Sequence, residues 1–170
     1  LLLDGVPKGL TDEEVNKGYT LEHPAVRNRL ATGAIAKLRK NNPSQLYDDT
    51  FAERITPGNL VDHLSHISEV DWVIEVVVEN IQVKKDLFRK VERYWKPGTI
   101  VSSNTSGISI QEMVAGCSEP FQKCFLGTHF FNPPRYMRLL EIVPAPETDP
   151  SIIERAAEIG THILGKGIVY

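Results

Sequence analysis

Short apolar runs alternate with longer amphipathic stretches along this chain. The clearest apolar run covers residues 72–78 and is mostly β-branched, as in a strand that is covered on both faces. Residues 81–95 then place apolar side chains at helical spacing, and Pro97 and Gly98 end the stretch. This alternation predicts βαβ units around a mostly parallel sheet.

The same pattern assigns the other elements. Strands are predicted at residues 1–4, 53–56, 99–102, 124–130 and 138–143, with another beginning at 168. Helices are predicted at residues 25–40, 60–66, 109–115 and 150–164. Residues 5–22 are predicted to form a loop with one short helical turn at 11–17. The predicted fold class is α/β, with a doubly wound, mostly parallel sheet.

Composition narrows the class of protein. With 170 residues, 41% of them hydrophobic and 24% charged, the chain suits one globular domain and excludes collagen-like and disordered classes. The net charge of −3 gives the protein no positive field that would attract nucleic acid. No apolar run approaches the ~20 residues of a membrane span. Two cysteines are too few for a disulfide framework, so we expect a reducing, cytoplasmic location.

Uncommon polar residues follow directly after the apolar runs. They are Asp4, Glu79 and Asn80, and the segments 102–106 and 128–132. In open parallel sheets, ligands bind outside the carboxyl ends of the strands. The sequence therefore predicts a ligand site at this edge of the sheet.

Asp4 ends the first predicted strand. A carboxylate there can bond both hydroxyls of an adenosine ribose, as in dinucleotide-binding folds. The glycine-rich turn that should precede it is absent from the chain, and Gly165-Lys166-Gly167 lacks the third glycine. On its own, Asp4 is better interpreted as a surface residue.

His129 and Glu141 form the second candidate. A carboxylate among aliphatic residues needs a partner, and a turn at residues 132–135 would return Glu141 beside His129. Such a carboxylate fixes the imidazole tautomer and favours its action as a general base. A structural ion pair of Glu141 with Arg135 or Arg138 explains the pattern equally well.

Two other groups have simpler interpretations. Residues 103–106 could reach a ligand with their hydroxyls and amide, or form an ordinary polar turn with capping serines. His63 and His66 share a helix face, but without further ligands a solvated face is the better interpretation, and no metal is predicted.

Four segments carry a specific family resemblance. They are Val77-Val78-Glu79-Asn80 with Lys84, Ser103-Asn104-Thr105-Ser106, His129-Phe130-Phe131-Asn132-Pro133 and Leu140-Glu141-Ile142-Val143. In this order and spacing the chain resembles the NAD-binding domain of L-3-hydroxyacyl-CoA dehydrogenases. Within the family, residues 24–29 and 55–59 look most like the dehydrogenase part of bacterial multifunctional fatty-acid-oxidation proteins.

The resemblance implies a Rossmann-type fold and NAD-dependent oxidation of L-3-hydroxyacyl-CoA to 3-oxoacyl-CoA in fatty-acid β-oxidation. His129 would take the proton of the 3-hydroxyl, Glu141 would stabilise the imidazolium, and Ser106 would bond the reacting oxygen beside the nicotinamide. The implied cofactor-binding residues are Asp4, Glu79, Lys84, Ser106 and Asn132. The implied partners are the acyl-CoA substrate and, in the full-length parent, a second copy of the chain and a thiolase.

The resemblance also implies missing parts. Residues 1–170 would be a partial NAD-binding domain that lacks its first strand, its glycine-rich loop and the C-terminal helical domain. For a strand order of 3-2-1-4-5-6, the missing strand is central. The sheet should then pair directly across the gap, split, or recruit a strand from another molecule, and the isolated chain should be inactive and bind NAD abnormally.

Two alternatives to this function stay open. One is a non-catalytic binding or structural module on the same fold. A structure in which the side chains of His129 and Glu141 lie apart would favour it. The other is a dehydrogenase of a related 3-hydroxy acid without CoA. The sequence does not decide between CoA and free-acid substrates.

Overall fold

The computed structural model describes residues 1–170, which divide into two compact units, residues 1–65 and 66–170. The strands are β1 (Leu2–Asp4), β2 (Pro57–Asn59), β3 (Trp72–Glu75), β4 (Ile100–Ser103), β5 (Phe125–Phe130), β6 (Leu139–Pro144) and β7 (Gly167–Val169). The α-helices are α1 (Asp12–Asn16), α2 (Pro24–Arg27), α3 (Arg29–Leu38), α4 (Ile81–Glu92), α5 (Ile110–Val114), α6 (Glu119–Lys123) and α7 (Pro150–Glu158). Two 3₁₀ helices cover Asp49–Arg54 and Leu64–Glu69, and a π-helical turn covers Ile159–Ile163.

The first unit contains β1 and β2 in a parallel pair, with Asp4 opposite Asn59. Two helices follow where one was predicted over 25–40. They are divided at Asn28, whose side-chain oxygen accepts a hydrogen bond from Asn59 Nδ2 at 2.7 Å. The loop at residues 5–22 contains the predicted short helix, α1, capped by Thr11 and Glu14.

Two short predictions in this part of the chain are wrong. Residues 53–56 were expected to form a strand, but Asp49–Arg54 is a 3₁₀ helix whose first turn is capped by Asp48. The strand lies instead at Pro57–Asn59, where the backbone pairs with β1. The helix predicted at 60–66 is replaced by a turn and the 3₁₀ helix Leu64–Glu69.

The second unit is a five-stranded sheet in the order β3-β4-β5-β6-β7. All neighbours are parallel except β5 and β6, which are antiparallel. The predicted α/β class with a mostly parallel sheet is therefore confirmed. The strands form two separate sheets, one in each unit. Of the three outcomes expected for the sheet, this is the split.

An apolar core holds the second sheet and helix α7 together. It consists of Ile100, Cys124, Leu126, Leu140, Ile142, Ile152 and Ala156. The core residues of β4, β5 and β6 are fully buried. Because side chains alternate between the two faces of a strand, their neighbours in sequence point to the other face of the sheet. None of the helices is long and apolar enough to cross a bilayer.

Candidate active site

His129 and Glu141 meet across the antiparallel pair of β5 and β6. The two residues are direct register partners, and His129 Nδ1 lies 2.7 Å from Glu141 Oε2. The turn at 132–135 returns the chain as the sequence predicted. This contact favours the proton-transfer interpretation over a structural pair of Glu141 with Arg135 or Arg138.

Ser106 completes a chain of three polar side chains. Its Oγ lies 3.1 Å from His129 Nε2, in the loop that follows β4. Because a carboxylate only accepts hydrogen bonds, Nδ1 carries the imidazole proton toward Glu141, and Nε2 is the acceptor that faces the Ser106 hydroxyl. His129 is thus arranged to receive a proton on the nitrogen that faces Ser106.

Asn104 fixes the loop that carries Ser106. Its backbone N–H donates to the Glu75 carbonyl at 2.8 Å, and its side-chain oxygen accepts from the Phe130 N–H at 2.8 Å. One residue therefore ties the end of β4 to the ends of β3 and β5. The sequence pattern indicated only a ligand contact or a turn for this amide, and the structure shows that it holds three strand ends together.

Glu79 contacts the same loop. Its carboxylate accepts a short hydrogen bond from the hydroxyl of Thr105, the residue before Ser106. The Thr105 hydrogen bond, aided by Lys84, holds the pKa of Glu79 below its usual value. The carboxylate is therefore ionised at neutral pH and half exposed.

Lys84 is placed differently from a surface lysine. Its side chain is 1% exposed, and its ammonium bonds both oxygens of the Glu75 carboxylate at 2.9 Å. Sequence reasoning missed Glu75 as a member of this cluster. The signal was a carboxylate inside a β-branched run, which needs a buried partner.

The residues expected around a nicotinamide cofactor fit this surface in their chemistry. Ser106, Glu79 and Asn132 present a hydroxyl, a carboxylate and an amide in the segments that follow β4, β3 and β5. The side chains of Val76 and Val78, which precede Glu79 in the chain, are exposed. Ribose hydroxyls and a carboxamide need such donors and acceptors, and a nicotinamide ring needs apolar surface. The Lys84 side chain is buried in the structure, and its binding to the cofactor stays a prediction.

Asp4 belongs to the first unit. It is exposed at the end of β1, where its Oδ1 accepts from the Gly5 N–H at 2.6 Å. Its binding to a ribose stays a prediction. No cluster of three or more His, Cys, Asp or Glu side chains in the structure could hold a metal ion.

The geometry alone is compatible with two reaction classes. A hydroxyl, an imidazole and a carboxylate in a row can move a proton from an alcohol substrate, and the same order occurs in acyl-transfer enzymes with a serine nucleophile. Comparison with known proteins distinguishes these classes.

Residues 10–170 match the sequence model of the family described as "3-hydroxyacyl-CoA dehydrogenase, NAD binding domain". A Bacillus subtilis protein named "Probable 3-hydroxyacyl-CoA dehydrogenase" is 53% identical over 169 residues, which are 99% of this chain and 21% of that protein. A Rickettsia felis protein named "Putative fatty acid oxidation complex trifunctional enzyme" is 37% identical over 142 residues, 84% of this chain and 20% of that protein.

The fold matches solved structures too. The crystal structure of M. tuberculosis FadB2 is similar with a TM-score of 0.69 and 30% sequence identity, covering 86% of this chain and 52% of that one. This chain spans about a fifth of the length of the two bacterial relatives (21% and 20%).

Proposed function

Since this chain belongs to the 3-hydroxyacyl-CoA dehydrogenase family, as its NAD binding domain, we propose that the full-length protein oxidises L-3-hydroxyacyl-CoA to 3-oxoacyl-CoA. The observation that carries the proposal is the contact of His129 with both Glu141 and Ser106. NAD, the cofactor of this family's domain, supplies the hydride acceptor when bound.

The residues of this chain handle the proton. As the substrate C3–H bond breaks and its electron pair leaves as hydride, the O–H proton of the 3-hydroxyl passes to His129 Nε2 and a C=O bond forms. Glu141 stabilises the imidazolium that results. Ser106 Oγ, 3.1 Å from the same nitrogen, is placed to donate a hydrogen bond to the reacting oxygen.

The cofactor contacts are proposed separately for the two units. In the second unit we propose Glu79, Lys84, Ser106 and Asn132 at the nicotinamide half, and in the first unit we propose Asp4 at the adenosine ribose. The acyl-CoA substrate, a second copy of the chain and a thiolase are the proposed partners. A cytoplasmic location is supported by two free, buried cysteines and by bacterial relatives.

The test is a His129→Gln variant of the full-length protein, assayed by NADH formation from a panel of L-3-hydroxyacyl-CoA substrates and free 3-hydroxy acids. We expect kcat to fall by about 10²–10⁴-fold while NAD affinity stays within about twofold. His162→Gln, at an exposed histidine of the same unit, is the matched control. Full turnover by His129→Gln would overturn the proposal, and the panel decides whether CoA is required.

A further inference from the structure

The backbone pairing of the sheet ends before it reaches the proposed site. The last register partners are Glu75 with Ser103 between β3 and β4, and Ser103 with Gly127 between β4 and β5. Ser106 and His129 both lie beyond these pairs. Strand pairing therefore brings the two residues near each other but does not fix the distance between their side chains.

Asn104 supplies hydrogen bonds where the strand pairing stops. Its backbone N–H donates to the Glu75 carbonyl at 2.8 Å, and its side-chain Oδ1 accepts from the Phe130 N–H at 2.8 Å. That N–H belongs to the peptide bond that joins His129 to Phe130. The Asn104 oxygen therefore holds the backbone directly next to the proposed catalytic histidine.

The contacts form a closed ring. On one side, the Phe130 N–H donates to Asn104 Oδ1, and on the other, Ser106 Oγ lies 3.1 Å from His129 Nε2. One residue, Thr105, separates Asn104 from Ser106 in the chain. Because the connection is so short, a shift of the Asn104 side chain also displaces the Ser106 hydroxyl.

The other hydrogen bonds of this loop lead away from β5. Thr105 Oγ1 donates to the Glu79 carboxylate and accepts from two N–H groups within the loop. These bonds shape the loop locally and tie it to the segment that follows β3. Apart from Ser106 itself, Asn104 is the residue that connects the loop to β5.

Resting on the proposed function, we propose that Asn104 is a positioning residue: its side-chain oxygen holds the peptide bond after His129 and so keeps Ser106 Oγ within hydrogen-bond distance of His129 Nε2. Asn104 affects the reaction through Ser106. Its effect on turnover therefore depends on the presence of the Ser106 hydroxyl.

This role requires the oxygen of the side chain. The Phe130 N–H is a donor, and removing its acceptor leaves that donor unpaired. Aspartate has the size of asparagine and keeps an oxygen acceptor, whereas leucine is of similar size and has none. The two substitutions at Asn104 therefore separate the hydrogen bond from the volume of the side chain.

The test compares Asn104→Leu and Asn104→Asp with the wild type in the full-length protein, by NADH formation at saturating NAD and substrate. We expect Asn104→Leu to lower kcat by about tenfold to a hundredfold, because small misplacements of reacting groups have effects of this size. Asn104→Asp should stay within about fivefold of wild type, because it keeps the acceptor. Asn41→Leu, at an exposed asparagine of the first unit, is the control and should behave as wild type.

Equal losses of kcat in Asn104→Leu and Asn104→Asp would overturn the proposal, because the hydrogen bond would then not matter. Asn104→Ala also lacks the acceptor and takes the place of Asn104→Leu if leucine prevents folding. It should lower kcat in the same direction.

Combination with Ser106→Ala tests whether Asn104 acts through Ser106. Once the hydroxyl is absent, Asn104→Leu should lower kcat further by less than about threefold. An undiminished loss in the Ser106→Ala background would show a merely structural role of Asn104 and would contradict the positioning role.

Failure of the proposed function can be recognised separately by chemical modification. Diethyl pyrocarbonate acylates an imidazole nitrogen through its lone pair, which on His129 Nε2 faces the Ser106 hydroxyl. We expect His129 to be modified several times faster in Asn104→Leu than in wild type, and at the wild-type rate in Asn104→Asp. Peptide mass spectrometry measures these rates against the exposed His162 as an internal reference.

Equal rates of His129 modification in Asn104→Leu and wild type would overturn the positioning role whatever the activity. A wild-type protein without dehydrogenase activity would overturn only the function.

Discussion

Glu141 lies directly opposite His129 on the neighbouring antiparallel strand, with 2.7 Å between Oε2 and Nδ1. Strand register alone brings the two side chains to the same face, because direct register partners in a sheet point the same way. The pair is therefore held by the backbone of β5 and β6, and a conservative substitution of either side chain leaves the scaffold intact.

Glu141→Gln tests the carboxylate. The amide keeps the size of the side chain but cannot offset the imidazolium charge, so we expect kcat to fall by about 10²–10⁴-fold, with a small change in KM for NAD. Steady-state assays of NADH formation measure both values. Glu154→Gln, at an exposed residue of α7, is the control. If Glu141→Gln kept wild-type turnover, Glu141 would have no part in proton transfer.

Ser106→Ala distinguishes the two reaction classes that the geometry allows. In a dehydrogenase the hydroxyl only donates a hydrogen bond, so we expect kcat to fall by about tenfold to a thousandfold and remain measurable. Release of free CoA from acyl-CoA should be absent in the wild type. CoA release that Ser106→Ala abolishes would instead indicate a serine nucleophile. Ser118→Ala, at an exposed serine, is the control.

The contact between His129 and Glu141 was predictable because short-range features specify it. The alternation in residues 124–130 and 138–143, with a proline-rich turn between them, is enough to bring Glu141 toward His129. Ser106 was predictable as a polar residue just after a buried strand. The contact between Ser106 and His129 depends on the pairing of β4 with β5, which a local pattern does not show.

Long-range pairing also explains what the sequence did not predict. The strand at Pro57–Asn59 exists because it pairs with β1, although proline and glycine disfavour strands locally. The local pattern places Lys84 in the first turn of a helix but does not show that its side chain is buried. Its burial depends on Glu75, nine positions away in a different element.

Cys117 is predicted to be chemically inert in the folded protein. Burial, and secondarily the nearby Glu92, raise the pKa of its thiol to about 12, so almost no thiolate is present at pH 8. We expect iodoacetamide to modify Cys117 at least about a hundredfold more slowly in native protein than in urea. Peptide mass spectrometry measures the two rates. Comparable rates would show that the thiol is exposed or its burial transient.

The Arg27–Asp62 pair predicts acid sensitivity in the first unit. The Arg27 hydrogen bonds, with one from Asn59, lower the pKa of Asp62 from 3.8 to about 2. A lowered carboxyl pKa stabilises the folded state above the unfolded value, and this contribution is lost as the pH falls from about 3.8 toward 2.

Asp62→Asn should therefore lower the melting temperature at pH 6, and the difference from wild type should shrink steadily below pH 4. Circular dichroism across this range follows the change. Asp49→Asn, at an exposed residue of the same unit, should show no such trend. A difference between Asp62→Asn and wild type that does not depend on pH would contradict the assignment.

Ser102 is predicted to be a stability determinant of the second unit. Its buried hydroxyl accepts from Trp72 Nε1 at 2.9 Å and from Thr128 Oγ1 at 2.7 Å, so it connects β3, β4 and β5. Alanine would leave two donors without an acceptor, and we expect the free energy of unfolding to fall by about 2–4 kcal/mol.

Urea unfolding followed by tryptophan fluorescence measures this loss. The signal reports on the second unit, because both tryptophans, Trp72 and Trp95, lie there. Thr128→Val removes one donor at nearly constant volume. Ser102→Ala combined with Thr128→Val should therefore be less destabilising than the sum of the two single changes, by about 0.5–3 kcal/mol. Strict additivity would mean that the hydroxyls do not interact, and the loss in Ser102→Ala would then come from packing alone.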